Sequence, residues 1–421
     1  VPRFLPALRG GGAPARVEHA DLTAEQEAKV VLADYYASLV AAGLPVGRDR
    51  ARPWDVERAV AEGYERITWS FAAVEAITGS QSRLRFGLRD GKTEVDDHPV
   101  IRLLNKGKAN PMETGHQLRK RAGGQVLLSK RGCFVEASLT RRGEPYRYDL
   151  LPPGRTRIVP GTGNDLIDHY EVRDLGGRVI RKVDPWKVRF IRNPHLLDPY
   201  SGTTPLEAAQ LSIELDYFAR LYNVSFMRND GRPGGILGVD GEMDEAEMDR
   251  VESRFGKGPV EAGKLSVING ALTYVDTASK PRDVQYPQAS KNAKTEILVS
   301  FGVPESQLGN AADRTYANAK EEGISFWTVR PMPEHLDTML NGFAEDCDGL
   351  EPFFDLSVVR PIEELEAAKR AEWAAEVEKG LRSIISYARK AGMEDEVDDT
   401  PHTRALWMPS GRTPIPATEA D

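Results

Sequence analysis

The strongest constraint on this chain is the run from Leu298 to Asn341, where chain-stopping residues recur inside an otherwise helical pattern. A short apolar run closes on Phe301-Gly302-Val303-Pro304, and Leu308-Gly309 follows after a polar gap. A loop rich in Asn, Ala and Asp comes next, then a long helix expected from about Thr315-Tyr316 with Val329-Arg330-Pro331 inside it. Proline in a helix interior removes a hydrogen bond, costs about 3 kcal/mol and usually kinks the helix. Helical spacing continues on both sides of Pro331, so one bent helix is expected rather than two.

Composition narrows what such a segment can serve. At 421 residues the chain is long enough for two or three domains and a sizeable core. It carries 56 Lys plus Arg against 64 Asp plus Glu, a net charge of -8. A domain that coats nucleic acid by charge is normally basic, so this chain either avoids DNA or touches it without gripping it. The two cysteines, Cys133 and Cys347, lie far apart, which argues for a reducing compartment and against a disulfide framework. No apolar run approaches roughly 18 residues, so no membrane span is expected. The first residues hold no apolar signal region, and 1–24, rich in Pro, Gly and Ala, read as a flexible arm.

Helices are expected from Thr23 to Gly43, from Trp54 to Thr78 and from Met112 to Leu128. Short strands split by Gly turns fill the stretch to Ile191: Gly132–Ala137, Tyr146–Pro152, Arg155–Val159, His169–Arg173, Arg178–Lys182 and Val188–Ile191. Helices followed by such strands make an α+β layer. Thr203-Thr204-Pro205 opens a long helix whose apolar residues spread over a wide arc, as in a helix packed against several neighbours. A small βαββ-like piece follows, with Lys264–Ile268 and Ala271–Val275 expected to pair across Asn269-Gly270. Ser290–Phe301 reads as a helix, Phe353–Val359 as a strand and Ile362–Ala391 as one charged helix; beyond about 395 the chain reads as a loose end.

Enzyme motifs fail on inspection. Gly258-Pro259-Val260-Glu261-Ala262-Gly263-Lys264-Leu265 has the spacing of a phosphate-binding loop, but Leu265 replaces the magnesium-holding Ser or Thr. A helix precedes it and a strand follows, the reverse of what cradles phosphate. Gly161-Thr162-Gly163 lacks a third glycine and sits between strands. The seven histidines never cluster at ligand spacing, so no metal or other cofactor and no catalytic residue is expected. A phosphate-loop nucleotidase and a monomeric α+β scaffold stand as the competing readings.

Three blocks resemble the portal proteins, or head-to-tail connectors, of tailed double-stranded-DNA bacteriophages, in the branch of long-tailed phages. One is FGVP, LG, the Thr315-Tyr316-x-Asn318 opening and the downstream proline. Another is Asp97-His98-Pro99-x-x-x-Leu103-Leu104-Asn105, and the third joins Phe190-Ile191-Arg192-Asn193-Pro194 to Leu197-Asp198-Pro199-Tyr200-Ser201-Gly202.

The resemblance implies the portal fold, assembled as a ring. It divides the chain into a wing over 25–202, a first stem helix over 203–230, a clip over 231–286 and a second stem helix over 287–304. A tunnel loop over 305–314, a kinked tunnel helix over 315–347, a wing return strand over 348–360, a crown over 361–395 and a flexible tail over 396–421 complete it. It implies a ring, usually of twelve subunits, at one capsid vertex of the virion, assembled in the host cytoplasm. The ring passes double-stranded DNA during packaging and ejection and docks the terminase large subunit and a head-tail adaptor. Major capsid protein and scaffold are further implied partners. By placement in the tunnel loop and stem, Asn310, Ala311, Ala312, Asp313, Arg314, Lys291 and Lys294 are the residues expected nearest DNA. Acidic walls with sparse basic residues suit a conduit, because each neutralised phosphate adds salt-dependent grip.

Overall fold

Helix α1, Thr68–Arg83, lies at the centre of the main core, burying Ala73, Val74, Ile77 and Gln81. The structure, a computed structural model, describes residues 56–162, 165–228, 235–238, 273–276, 286–309, 315–393, 396–407 and 414–415. Strands β1 (Arg85–Asp90) and β2 (Thr93–Val95) follow α1, then helices α2 (Pro99–Leu104) and α3 (Gly115–Leu128). Thr114 and Gln117 form a reciprocal capping box at the start of α3, each satisfying an amide the helix leaves open.

Arg119 on α3 is fully buried, and among the described residues no carboxylate pairs with it. Its guanidinium donates to the carbonyls of Gln81 (3.4 Å), Ser82 (3.1 Å) and Leu84 (2.8 Å), the unpaired end of α1. Burial lowers its pKa to about 10, and the helix-end carbonyls stand in for a counter-ion.

Six strands pair in two three-stranded antiparallel sheets beyond α3. In one, β3 (Cys133–Leu139) lies between β4 (Pro145–Leu151) and β8 (Val188–Ile191). In the other, β6 (Ile167–Arg173) lies between β5 (Thr156–Pro160) and β7 (Val179–Val183). Phe134, Leu151, Tyr170, Val172, Val183 and Val188 close a second small core between them. The return strand β11, Glu351–Asp355, pairs antiparallel with β1, setting Phe354 opposite Phe86.

The two long central helices are α4 (Gln210–Arg228), preceded by a turn of helix at Pro205–Ala208 capped by Thr204, and α5 (Tyr286–Phe301). Polar ties set their register: Ser290 Oγ donates to the buried Asp216 carboxylate at 2.6 Å, and Ser212 bonds Glu296. Strands β9 (Gly235–Gly238) and β10 (Thr273–Asp276) pair antiparallel. The hairpin expected across Asn269-Gly270 and the stretch Gly258–Leu265 lie outside the described residues, as does the helix expected over Thr23–Gly43.

Several expected elements are divided. The helix expected over Trp54–Thr78 breaks at 65–67, where Ile67 is extended and starts α1. The single bent helix expected over 315–347 is two helices, α6 (Tyr316–Thr328) and α7 (Met332–Phe343). Val329 and Arg330 both donate their amides to Ser325 O, closing α6 before the proline. The residue before a proline is pushed out of helical geometry, which makes a stop rather than a bend; the Arg330–Pro331 peptide is cis. The helix expected over Ile362–Ala391 is also two, α8 (Arg360–Glu378) and α9 (Ile384–Ala391). Gly380, at φ 72°, lets Leu381 N bond Glu376 O at 2.8 Å, and Ser383 caps the restart. Part of the expected loose tail is structured: Pro401–Arg404 is helical, and Asp399 pairs with Arg389 and Arg404. Among the described residues no helix is long and apolar enough to cross a membrane.

Candidate functional site

Each stop in the 298–341 run has a structural cause. Helix α5 ends with Val303 N bonding Leu298 O and Gly302 N bonding Val299 O, both at 3.0 Å. Gly302 sits at φ 66°, the left-handed residue such an ending needs, while Val303 and Leu298 are both buried. Pro304 then starts a single turn, Glu305–Leu308, which closes on Gly309 at φ 77°. Across the next segment, Thr315 caps α6 by accepting from Asn318 N. FGVP and LG are therefore two successive helix terminators, and Thr315 is a helix start.

Arg330 leans back over this turn. Its Cγ lies 3.1 Å from where a side chain on Gly302 would begin, and its Nη2 donates to Ser300 O at 3.4 Å. Between the end of α5, the 303–305 turn and α6 lies an open groove of about 380 Å³, walled by Leu298, Val299, Val303, Pro304 and Phe326 with Glu305, Glu322 and Arg330 at its edges.

Asn310, Ala311, Ala312, Asp313 and Arg314 lie outside the described residues, between Gly309 and Thr315. Lys291 is exposed on α5. Lys294 is not an open charge: it bonds Glu305 at 3.0 Å and lies 4.4 Å over the Trp69 ring. That contact fastens α5 to the turn and to α1, so the structure separates two lysines that the sequence groups together.

The other two blocks converge on the end of α7. In the first, His98 Nδ1 accepts from Val100 N to cap α2, while Nε2 faces Asp348 at 3.2 Å. Asn105 closes the same block: its side chain accepts from Phe86 N and donates to Phe86 O, both at 2.9 Å, and to Ile101 O at 2.8 Å. It pairs with β1 as a neighbouring strand would. In the 190–202 block, Asn193 Oδ1 accepts from Thr338 on α7 at 3.0 Å, and Arg192 donates to Pro199 O. Ile191 packs where a side chain on Gly342 would stand, letting α7 lie directly on β8.

Sequence reasoning missed the buried polar groups that hold this junction. Arg189 and Tyr148 both donate to the Asp346 carboxylate in the core. Burial acts first on Tyr148 and the Asp346 charge second, and both push the phenol well above its usual range. Burial opposes the Arg189 charge, yet Asp346 and Glu345 hold its pKa above the ordinary guanidinium value. His335 on α7 is buried among α1 and α3, close to Gln81 at the open side of Gly123. Burial alone lowers its pKa to about 4. Nothing in residue spacing marks these positions, because their partners are more than a hundred positions away. Among the described residues no three His, Cys, Asp or Glu side chains converge as metal ligands.

Comparison with known proteins adds sequence and fold relatives. Residues 68–359 match the family profile described as "Phage portal protein". An uncharacterized protein of Rickettsia bellii (strain RML369-C) is 27% identical over 263 residues, 59% of this chain and 66% of that protein. A protein of Streptomyces phage phiC31 described as "Probable portal protein" is 25% identical over 254 residues, 56% of this chain and 54% of the phage protein. The chain thus spans just under two thirds of the former and about half of the latter. Among solved structures, a chain in the neck of an empty GTA particle is similar at TM-score 0.61 and 23% identity, over 84% of this chain and 98% of that one. A chain in the virion of the native gene transfer agent (GTA) particle is similar at TM-score 0.61 and 22% identity, over 86% and 99%. The matched residues run from the first residue of α1 through the central helices and the return strand to Val359, the residue just before α8, and over that span the chain belongs to the phage portal protein family.

Proposed function

We propose that this chain is the subunit of a closed ring, of twelve copies, at one capsid vertex, through which the genome passes during packaging and ejection. The observation that carries the proposal is the family match over 68–359, which contains both central helices and both fixed ends of the 310–314 loop. In this reading 25–202 with 348–360 form the wing, 203–230 and 287–304 the stem, and 231–286 the clip. The tunnel loop is 305–314, the tunnel segment 315–347 and the crown 361–395. The clip receives the terminase large subunit and later a head-tail adaptor, and the wing meets major capsid protein and scaffold. The chain is not an enzyme in this reading; the motor hydrolyses ATP. Lys291 and Asn310–Arg314 lie nearest the DNA.

Native mass spectrometry with negative-stain imaging tests it. Twelve 46.6 kDa chains give a ring of about 560 kDa with a central hole. A chain that stays monomeric, also when co-expressed with capsid and scaffold proteins, sinks the proposal.

A further inference from the structure

The Glu305–Leu308 turn is fastened by side chains from two directions. From α5, Lys294 Nζ bonds the Glu305 carboxylate at 3.0 Å and lies 4.4 Å over the Trp69 ring of α1. One cation thus bridges an acid on the turn and an aromatic face on the core helix, and both attractions need its ammonium in the same place. The Lys294 and Glu305 side chains are only 15% and 28% exposed, so salt screens the pair weakly. From α6, Ser306 Oγ donates to Glu322 at 2.5 Å, and Gln307 Nε2 lies 3.3 Å from where a side chain on Gly323 would begin. Leu308 packs half-buried against the main core.

These ties are more than the helix endings require. Backbone bonds at Gly302 and Val303 already close α5, and Gly309 already closes the turn. What the side chains add is a fixed place for the turn relative to α1, α5 and α6. Both ends of 310–314 are set in this way, because Thr315 begins α6 and Glu322 on α6 holds Ser306. Five residues span at most about 18 Å when fully extended. The reach of 310–314 therefore follows from where Gly309 and Thr315 stand.

We infer that Lys294, Glu305, Ser306 and Glu322 are positioning residues for DNA passage: they form a mount that sets where 310–314 stands in the channel, and they do not touch DNA. The inference rests on the ring reading and adds which side chains hold the channel segment in place. Charge separates the two roles. A lysine that grips phosphate acts through its own charge, and an acid beside it works against that grip. In a mount the lysine and the acid are one unit, so losing either shifts the turn and costs function in the same direction.

The test reads ring formation, thermal midpoint and packaged genome in particles assembled with the full-length chain. Lys294→Ala, Glu305→Ala and Ser306→Ala are each expected to form rings and to lose packaged genome several-fold. Asn105→Ala, whose lost bonds lie on β1 and α2, is the control for stability alone and is expected to keep packaging. Opposite effects of Lys294→Ala and Glu305→Ala overturn the inference, as do losses that only follow the thermal midpoint as in Asn105→Ala. Full packaging by all three variants also overturns it and leaves the ring reading standing. Absence of rings from the unsubstituted chain overturns both. Where Lys294→Ala or Glu305→Ala fails to assemble, Ser306→Ala, the loss of a single oxygen, decides between these outcomes.

Discussion

The buried guanidinium of Arg189 meets Asp346 through two parallel hydrogen bonds, Nη2 to Oδ1 at 2.6 Å and Nε to Oδ2 at 3.0 Å, while Tyr148 donates to the same Oδ2 at 2.7 Å. The three residues join β8, β4 and the turn after α7. Removing one partner of a buried pair leaves an uncompensated charge. Asp346→Ala is expected to lower stability by about 3–5 kcal/mol in urea denaturation. Tyr148→Phe costs less, about 1–2 kcal/mol, since only one hydrogen bond goes. Equal losses from the two substitutions count against this account.

His335 gives the fold a pH dependence. Its ordinary pKa of 6.5 falls to about 4 on burial, and neither ring nitrogen has a hydrogen-bond partner among the described residues. The unfolded chain therefore binds the extra proton between these values, so stability is full above pH 6.5 and declines as pH falls toward 4. The loss is on the order of 3 kcal/mol across the window. His335→Leu is expected to be neutral or mildly stabilising at pH 7 and to remove that part of the slope. Denaturation midpoints of the two proteins from pH 4 to 7.5 read the difference directly.

Gly302 and Gly309 share left-handed backbones but not surroundings. Arg330 crowds the site of a side chain on the first, whereas among the described residues nothing lies within 4 Å of where a side chain on the second would begin. Alanine at Gly309 is expected to cost about 1 kcal/mol and at Gly302 about 2 kcal/mol, since Arg330 must also move. Thermal midpoints in the same ranking, with Gly302→Ala the lower, are the required result.

Asn105 supplies three hydrogen bonds to two backbone residues. Asn105→Ala leaves Phe86 N–H and C=O unpaired and is expected to cost about 2–3 kcal/mol. Asn105→Asp keeps one acceptor but sets its second oxygen against the carbonyls of Phe86 and Ile101, so it should recover little. Hydrogen exchange at Phe86 separates this local cause from a general loss of stability.

For passage of DNA, Lys291 and Lys294 are expected to behave differently. Lys291→Glu combined with Arg314→Glu should reduce packaged genome several-fold with stability unchanged. Lys294→Glu faces Glu305 with a like charge and should first lower the thermal midpoint. Full packaging by the Lys291/Arg314 variant removes these residues from the proposed channel.

Much of the fold was legible because local chemistry announces itself. Thr114-x-x-Gln117 starts a helix, Pro99 follows its cap, and short β-rich runs between glycines became β3 to β8. The divisions at 328–332 and 378–384 were harder, since apolar and charged spacing runs through both. The stop signals were present at Arg330-Pro331 and Gly380, but periodicity outweighed them. The pairing of β9 with β10 joins segments 35 or more positions apart, a relation no local pattern carries. As for the site, the family blocks were readable as words, whereas their reasons were not. The partners of His98, Asn193 and Arg189 all sit near the end of α7, and folding alone brings them there.

The break between α6 and α7 divides mechanical allegiance. Helix α6 is fastened outward, through Lys320 to Glu364 on α8 at 2.9 Å and through Glu322 to Ser306 at 2.5 Å. Helix α7 is fastened inward, burying Met332, His335, Leu336, Met339 and Phe343. The start of α6 at Thr315 is therefore tied to α8 and to the Glu305–Leu308 turn, whereas α7 beyond the break belongs to the core that backs the β-sheets.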